Sequence, residues 1–176
     1  MTMKREDKIL KLVNKGGYGV EVGPSYNPVA PKKAGYKVHV IDQMNREQLV
    51  AFYQGHQAPV ENIEHVDYVW NGKPYEELTG RSHFYDWIIA SHVIEHTPDL
   101  LGFLENCDHI LKADGVLSLA VSDSRYCFDH FRPLTSLASI LDTHFEKRTR
   151  PSAGSVYEYY LNVVSKRGPD CLGSSG

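Results

Sequence analysis

Glu21 and Gly23 stand two residues apart at the end of a short valine-bearing run, and Asp42 follows that glycine by 19 positions. A glycine closing a strand lets a ligand approach the backbone, and an acid at about 20 residues' distance accepts both ribose hydroxyls in nucleotide-binding folds. The loop after the glycine reads Gly23-Pro24-Ser25-Tyr26-Asn27-Pro28. Ser25 and Pro28 therefore stand where a dinucleotide fingerprint, GxGxxG, carries glycines, and the phosphate-cradling GxxxxGK[ST] pattern is absent. Such a loop suits a ligand without phosphate. Gly23 permits close approach, while Ser25 and Asn27 can hydrogen-bond a carboxylate or an amine. The plainer alternatives are an ordinary turn at 23–27 and a helix-capping role for Asp42.

Asn71-Gly72 offers an amide that could accept from an adenine amino group and donate to a ring nitrogen, although Asn-Gly is also a common turn dipeptide. Ser91–His96 reads "SHVIEH", in which His92, Glu95 and His96 spell HxxEH, the inverted zinc-peptidase motif. Zinc chemistry would need both histidines on one helix face and a third ligand. Pro98 biases its predecessor away from helix, so a loop with at most one turn is expected, and no metal site. In that loop Ser91 and His92 would line a pocket, while Glu95 and His96 would bond locally or face a substrate. His92 and His96 are the candidates for a general base near neutral pH. A later segment, "SDSRYCFDHFRP" (122–133), either touches substrate or is a polar loop with Tyr126, Phe128 and Phe131 packed beneath it.

The elements that must position these residues follow from hydrophobic period. Strands are expected at 18–22, 36–41, 63–70, 84–90 and 116–121. Helices are expected around Ile9–Val13, at 45–54, 98–111 and 133–145, with 156–164 readable as helix or strand. Between the first two strands only about a dozen residues remain, and Pro28 and Pro31 leave room for one or two helical turns, with Asn27 as cap and Pro28 first. The alternation predicts an α/β fold: a Rossmann-like, doubly wound, mostly parallel sheet of about five strands with right-handed connections. Ligands of such sheets sit at the carboxyl ends of the strands, where the strand order reverses. One domain over 1–165 is expected, followed by a disordered Gly/Ser-rich tail at 166–176.

Nineteen basic and 22 acidic residues give a formal charge of −3, which supplies no electrostatic footprint for nucleic acid or an anionic membrane. Cys107, Cys127 and Cys171 share no metal-type spacing, and their sparse, odd number suits a reducing compartment. The charged, amphipathic N-terminus lacks a signal-peptide core and no apolar run is long enough to span a bilayer, so a cytoplasmic location is expected.

Five stretches, "VEVGPSYNP", "VHVID", "DYVWNG", "FYDWIIASHVIEH" and "HILKADGVLSLAV", occur in that order within residues 16–122. With them the chain resembles the class I S-adenosylmethionine-dependent methyltransferases, in particular the methyltransferase type 11-like domains. The "SHVIEH" loop followed by a helix ending in "ILKADG" is the most specific part of the likeness. The resemblance implies S-adenosylmethionine as cofactor, S-adenosylhomocysteine as product and a small-molecule acceptor of unspecified kind. It implies that Glu21 and Gly23, with Pro24, Ser25 and Asn27 in the same loop, border the methionine part. Asp42 would take the ribose hydroxyls, Asn71-Gly72 would lie by the adenine, and Ser91-His92 near the sulfonium.

Two departures stand out: the loop has lost most of its glycines, and Asp is more usual than Asn71. No pair of strands is legible after Val121, so a methyltransferase truncated at its C-terminus and lacking the closing β-hairpin is expected. The bare sheet edge could be covered in a homodimer. The alternative function is a catalytically impaired cofactor-binding module with a role in assembly.

Overall fold

The apolar run at 84–90 becomes β4 (Tyr85–Ser91), the strand around which the molecule is built. A computed structural model describes residues 3–56 and 58–164; the expected tail at 166–176 and Cys171 lie outside them. Along the chain run α1 (Arg5–Ile9), β1 (Tyr18–Val22), β2 (Lys37–Asp42), α2 (Arg46–Tyr53), β3 (Tyr68–Val69) and α3 (Tyr75–Thr79). Then come β4, α4 (Leu100–Ile110), β5 (Leu111–Ala120), α5 (Leu137–Phe145) and α6 (Ala153–Asn162). All five strands are parallel, in the order β3-β2-β1-β4-β5. The chain first builds outward from β1 through β2 to β3, then returns to β1's other side with β4. The order therefore reverses between β1 and β4, and a cleft opens at their carboxyl ends.

Alternate residues of the central strands enter opposite cores, as a period of two requires. Val20, Val22, Ile88 and Ala90 join Phe103, Cys107 and Ile110 of α4 in one cluster. Trp87, Ile89 and Val38 join Ile9 of α1 and Val29-Ala30 in the other. Burial pushes the Cys107 thiol up to about 12, so it is an inert packing group. Gly19 makes β1 and β4 compatible, because a Cβ there would lie 2.1 Å from the Trp87 indole.

Helix starts follow local capping chemistry. Asn45 and Gln48 form a reciprocal capping box on α2, and the Asp99 side chain accepts from Gly102 N at the start of α4. Of the segment at 156–164, residues 156–162 are helical, within α6, which ends at Asn162.

Several elements differ from expectation for identifiable reasons. The third strand is only Tyr68–Val69, not 63–70. Ahead of it, the Asp67 carboxylate accepts from Val40 N at 2.7 Å, so a side chain occupies a place where a longer ladder would put a backbone carbonyl. Asn27 does not cap a helix and Pro28 does not begin one; a single 3₁₀ turn forms later, at Lys32–Ala34. The Val29 and Ala30 N–H groups are instead turned to the Glu21 carboxylate. α1 ends at Ile9, before the remaining apolar residues of its stripe.

β5 starts at Leu111 and absorbs the "KADG" stretch as an irregularity, pairing Tyr85 with Leu111 but Trp87 with Val116. Its outer edge pairs with no strand among the described residues. Tyr126, Phe128 and Phe131 are 84%, 56% and 68% exposed, so they do not pack beneath their loop. No helix among the described residues is long and apolar enough to cross a membrane.

Candidate functional site

β1 delivers Glu21 to the base of the cleft, where it is buried. Its Oε1 accepts from Val29 N at 2.6 Å and its Oε2 from Ala30 N at 3.0 Å. Two backbone donors favour the carboxylate, but burial outweighs them and lifts the group to about 7. Glu21 thus anchors the far end of the loop that Gly23 begins.

Gly23 adopts φ +61°, and a Cβ there would come within 3.1 Å of Val93 Cγ2. Both facts favour glycine. Ser25 also has positive φ, at 48°. Its N–H donates to Asp42 Oδ2 at 3.1 Å, while Asp42 Oδ1 accepts from Gln43 N at 2.7 Å. Burial raises the Asp42 carboxyl above its ordinary value, against the pull of these N–H donors. Each Asp42 oxygen retains a lone pair for a further donor.

β4 brings Ser91 and His92 to the opposite wall. His92 has φ +56° and its Nδ1 lies 3.0 Å from Ser122 Oγ and 3.4 Å from Glu95 Oε1. Glu95 Oε1 also accepts from Ser122 N at 2.6 Å. Partial burial pushes Glu95 up, but hydrogen bonds from its own and Ser122's N–H, the Ser122 hydroxyl and His92 prevail and hold it below its usual value. The HxxEH residues therefore do not share a helix. Ile94–His96 is one 3₁₀ turn and His92 precedes it in a left-handed conformation. Among the described residues no group of three or more His, Cys, Asp or Glu could hold a metal ion.

Of the residues expected at the site, Glu21, Gly23, Pro24, Asn27, Ser91 and His92 line one cavity of about 150 Å³. Ser25 and Asp42 meet each other beside it through the bond already given. Asn71 and Gly72 are not brought to that cavity. Asn71 Oδ1 accepts from Lys73 N at 3.2 Å and Gly72 takes φ +92°, which is the turn reading of the dipeptide. His96 does not line it either.

Arg5 is the residue that sequence reading missed. Its Nη2 donates to Ser91 Oγ at 2.5 Å across 86 positions of sequence. No local pattern marks it, since only the docking of α1 brings it there.

Buried carboxyl oxygens at the ends of two adjacent strands are hydrogen-bond acceptors, which suits a ligand rich in hydroxyl and amino donors. A sequence profile described as a methyltransferase domain matches residues 19–119, from within β1 to within β5. The chain belongs to this methyltransferase domain family. The match includes every cavity-lining residue named above except Arg5.

Among solved structures, the methyltransferase domain is similar to a TehB-like SAM-dependent methyltransferase from Corynebacterium glutamicum, at 12% identity and TM-score 0.48, over 88% of this chain and 84% of that one. It is also similar to a SAM-dependent methyltransferase from Aquifex aeolicus, at 21% identity and TM-score 0.43, over 65% and 62%. For the trans-methyltransferase CalH in complex with SAH the values are 23% and 0.40, over 57% and 30%. The domain spans 56% of a further similar chain, from Galdieria sulphuraria, so it is shorter than several of the proteins it matches. None of the curated proteins matches it.

Proposed function

We propose that this methyltransferase domain binds S-adenosylmethionine across the carboxyl ends of β1, β2 and β4 and transfers its methyl group to a small molecule. The observation that carries the reading is the joining of Asp42 to the Gly23 loop opposite Ser91-His92, at the point where strand order reverses. Asp42 is the acceptor for the ribose hydroxyls, using the lone pairs left by Ser25 and Gln43. Gly23 gives the amino-acid part room against the backbone, and Glu21 fixes that loop from beneath. The adenine would lie toward Asn71-Gly72, beyond the cavity wall.

The cofactor, when bound, supplies an electrophilic methyl group on a sulfonium. The domain's part is to hold an acceptor in line with that methyl, since alignment supplies much of the rate in such transfers. An oxygen or nitrogen acceptor also needs somewhere to leave its proton. His92, tethered to Ser122 and Glu95 at the cleft, is better placed for this than His96.

Calorimetric titration with S-adenosylmethionine and S-adenosylhomocysteine tests the reading. Binding by the wild type, weakened in Asp42→Ala, is expected. No binding by the wild type, or undiminished binding by the variant, overturns it. Methyl transfer to fractionated metabolite pools then distinguishes an enzyme from a cofactor-binding module.

A further inference from the structure

The Arg5 guanidinium lines the cavity of about 150 Å³ at the Gly23 loop and also a neighbouring cavity of about 330 Å³. The second lies between α1 and β5, bordered by Lys8, Ile9, Ser118 and Ala120, and His92 is common to both. Arg5 and His92 therefore stand at the partition of one cleft. The backbone behind the arginine is secured: Ser118 Oγ donates to Ile9 O at 2.7 Å, and Ile9 is buried in the core. The guanidinium itself is lightly committed. Among the described residues it makes one hydrogen bond, to Ser91, and one ion pair, to Glu6 at 3.6 Å, whose side chain is about half exposed. A guanidinium carries five N–H donors in a fork that matches a carboxylate in two-point geometry. Glu21 lines the same cavity, so a guanidinium and a carboxyl group face one small volume. A cation and a hydrogen-bond acceptor are what the carboxylate and amino ends of an α-amino acid require.

We propose that Arg5 reads the free α-carboxylate at the amino-acid end of S-adenosylmethionine, exchanging its bond to Ser91 for that carboxylate and so opening the partition between the two cavities. The inference rests on the cofactor reading above. It makes α1, which lies outside the family-matched segment, part of the binding site, and it makes Arg5 a specificity-determining residue.

Titration of the wild type, Arg5→Ala and Arg5→Lys with S-adenosylmethionine and with its decarboxylated analogue tests it, with thermal unfolding run alongside. The wild type should bind the carboxylate-bearing ligand at least about 10-fold more tightly than the analogue, as loss of a charge-assisted pair requires. Arg5→Ala should lose that preference by binding S-adenosylmethionine about 10-fold or more weakly, while holding the analogue as the wild type does. Arg5→Lys, a point charge without the fork, should recover part of the preference. The proposal is overturned if Arg5→Ala keeps the preference, or if it loses affinity for both ligands alike, which is what a purely structural arginine would give. Arg5→Lys answers the same question should Arg5→Ala unfold: a preference no weaker than the wild type's counts against the fork. A wild type that binds neither ligand removes the cofactor reading and Arg5's role together, whereas a wild type that binds both equally removes only the latter.

Discussion

The Asp42 carboxylate accepts the Ser25 N–H at 3.1 Å, tying the end of β2 to the loop that follows β1. This bond joins a left-handed serine to a buried acid. Asp42→Ala should therefore lower affinity for S-adenosylmethionine by about 10- to 100-fold, the cost of losing hydrogen bonds to a charged acceptor. It should also destabilise the fold by about 1–3 kcal/mol, because Ser25 N–H loses its partner. Calorimetry and urea denaturation measure the two effects separately.

Glu21 gives stability a pH dependence. Its folded value of about 7 lies above the ordinary 4.5, because burial disfavours the charged form. Between those values the folded state holds a proton that the unfolded chain releases. The stabilisation is thus fully present below about pH 4.5 and is lost as pH rises through about 7, by at most about 3 kcal/mol. Urea midpoints should fall between pH 5 and 8 in the wild type, and this part of the slope should vanish in Glu21→Gln. An unchanged slope in the variant would assign it to other groups.

Gly19→Ala should be among the most damaging single-methyl additions in the sheet. Its Cβ would sit 2.1 Å from the Trp87 ring, and both residues belong to paired central strands that cannot easily move apart. A loss of about 3 kcal/mol, at the upper end for overpacking, is expected in thermal or urea unfolding. A near-neutral result would mean that the indole can shift.

His92 separates backbone strain from chemistry. At φ +56°, Asn is the best-tolerated side chain after Gly, whereas a β-branched residue is strongly disfavoured. His92→Asn should keep stability to within about 1 kcal/mol, and His92→Val should lose about 1–2 kcal/mol more. If the imidazole takes a proton from the acceptor, His92→Asn also abolishes the neutral-pH limb of the methyl-transfer profile without weakening cofactor binding.

Much of the fold was legible because its signals are local. The apolar run at 84–90 became β4, and the helical spacing at 45–54 and 98–111 became α2 and α4. The third strand was overread because Ile63 and Val66 are buried without belonging to a ladder, and apolar pattern reports burial rather than pairing. The first connection was misread for a related reason. Nothing near Val29 and Ala30 shows that their N–H groups are claimed by Glu21, eight and nine positions away.

The sequence by itself determined the parallel α/β architecture and the family, since both rest on short patterns repeated in order. It also named the residues at the strand ends. Only the tertiary structure decided which of them meet: Ser91 and His92 share a cavity with the Gly23 loop, whereas Asn71-Gly72 does not. It alone brought Arg5 to Ser91, because contact over 86 positions depends on how α1 docks against β5, and sequence neighbours carry no record of that.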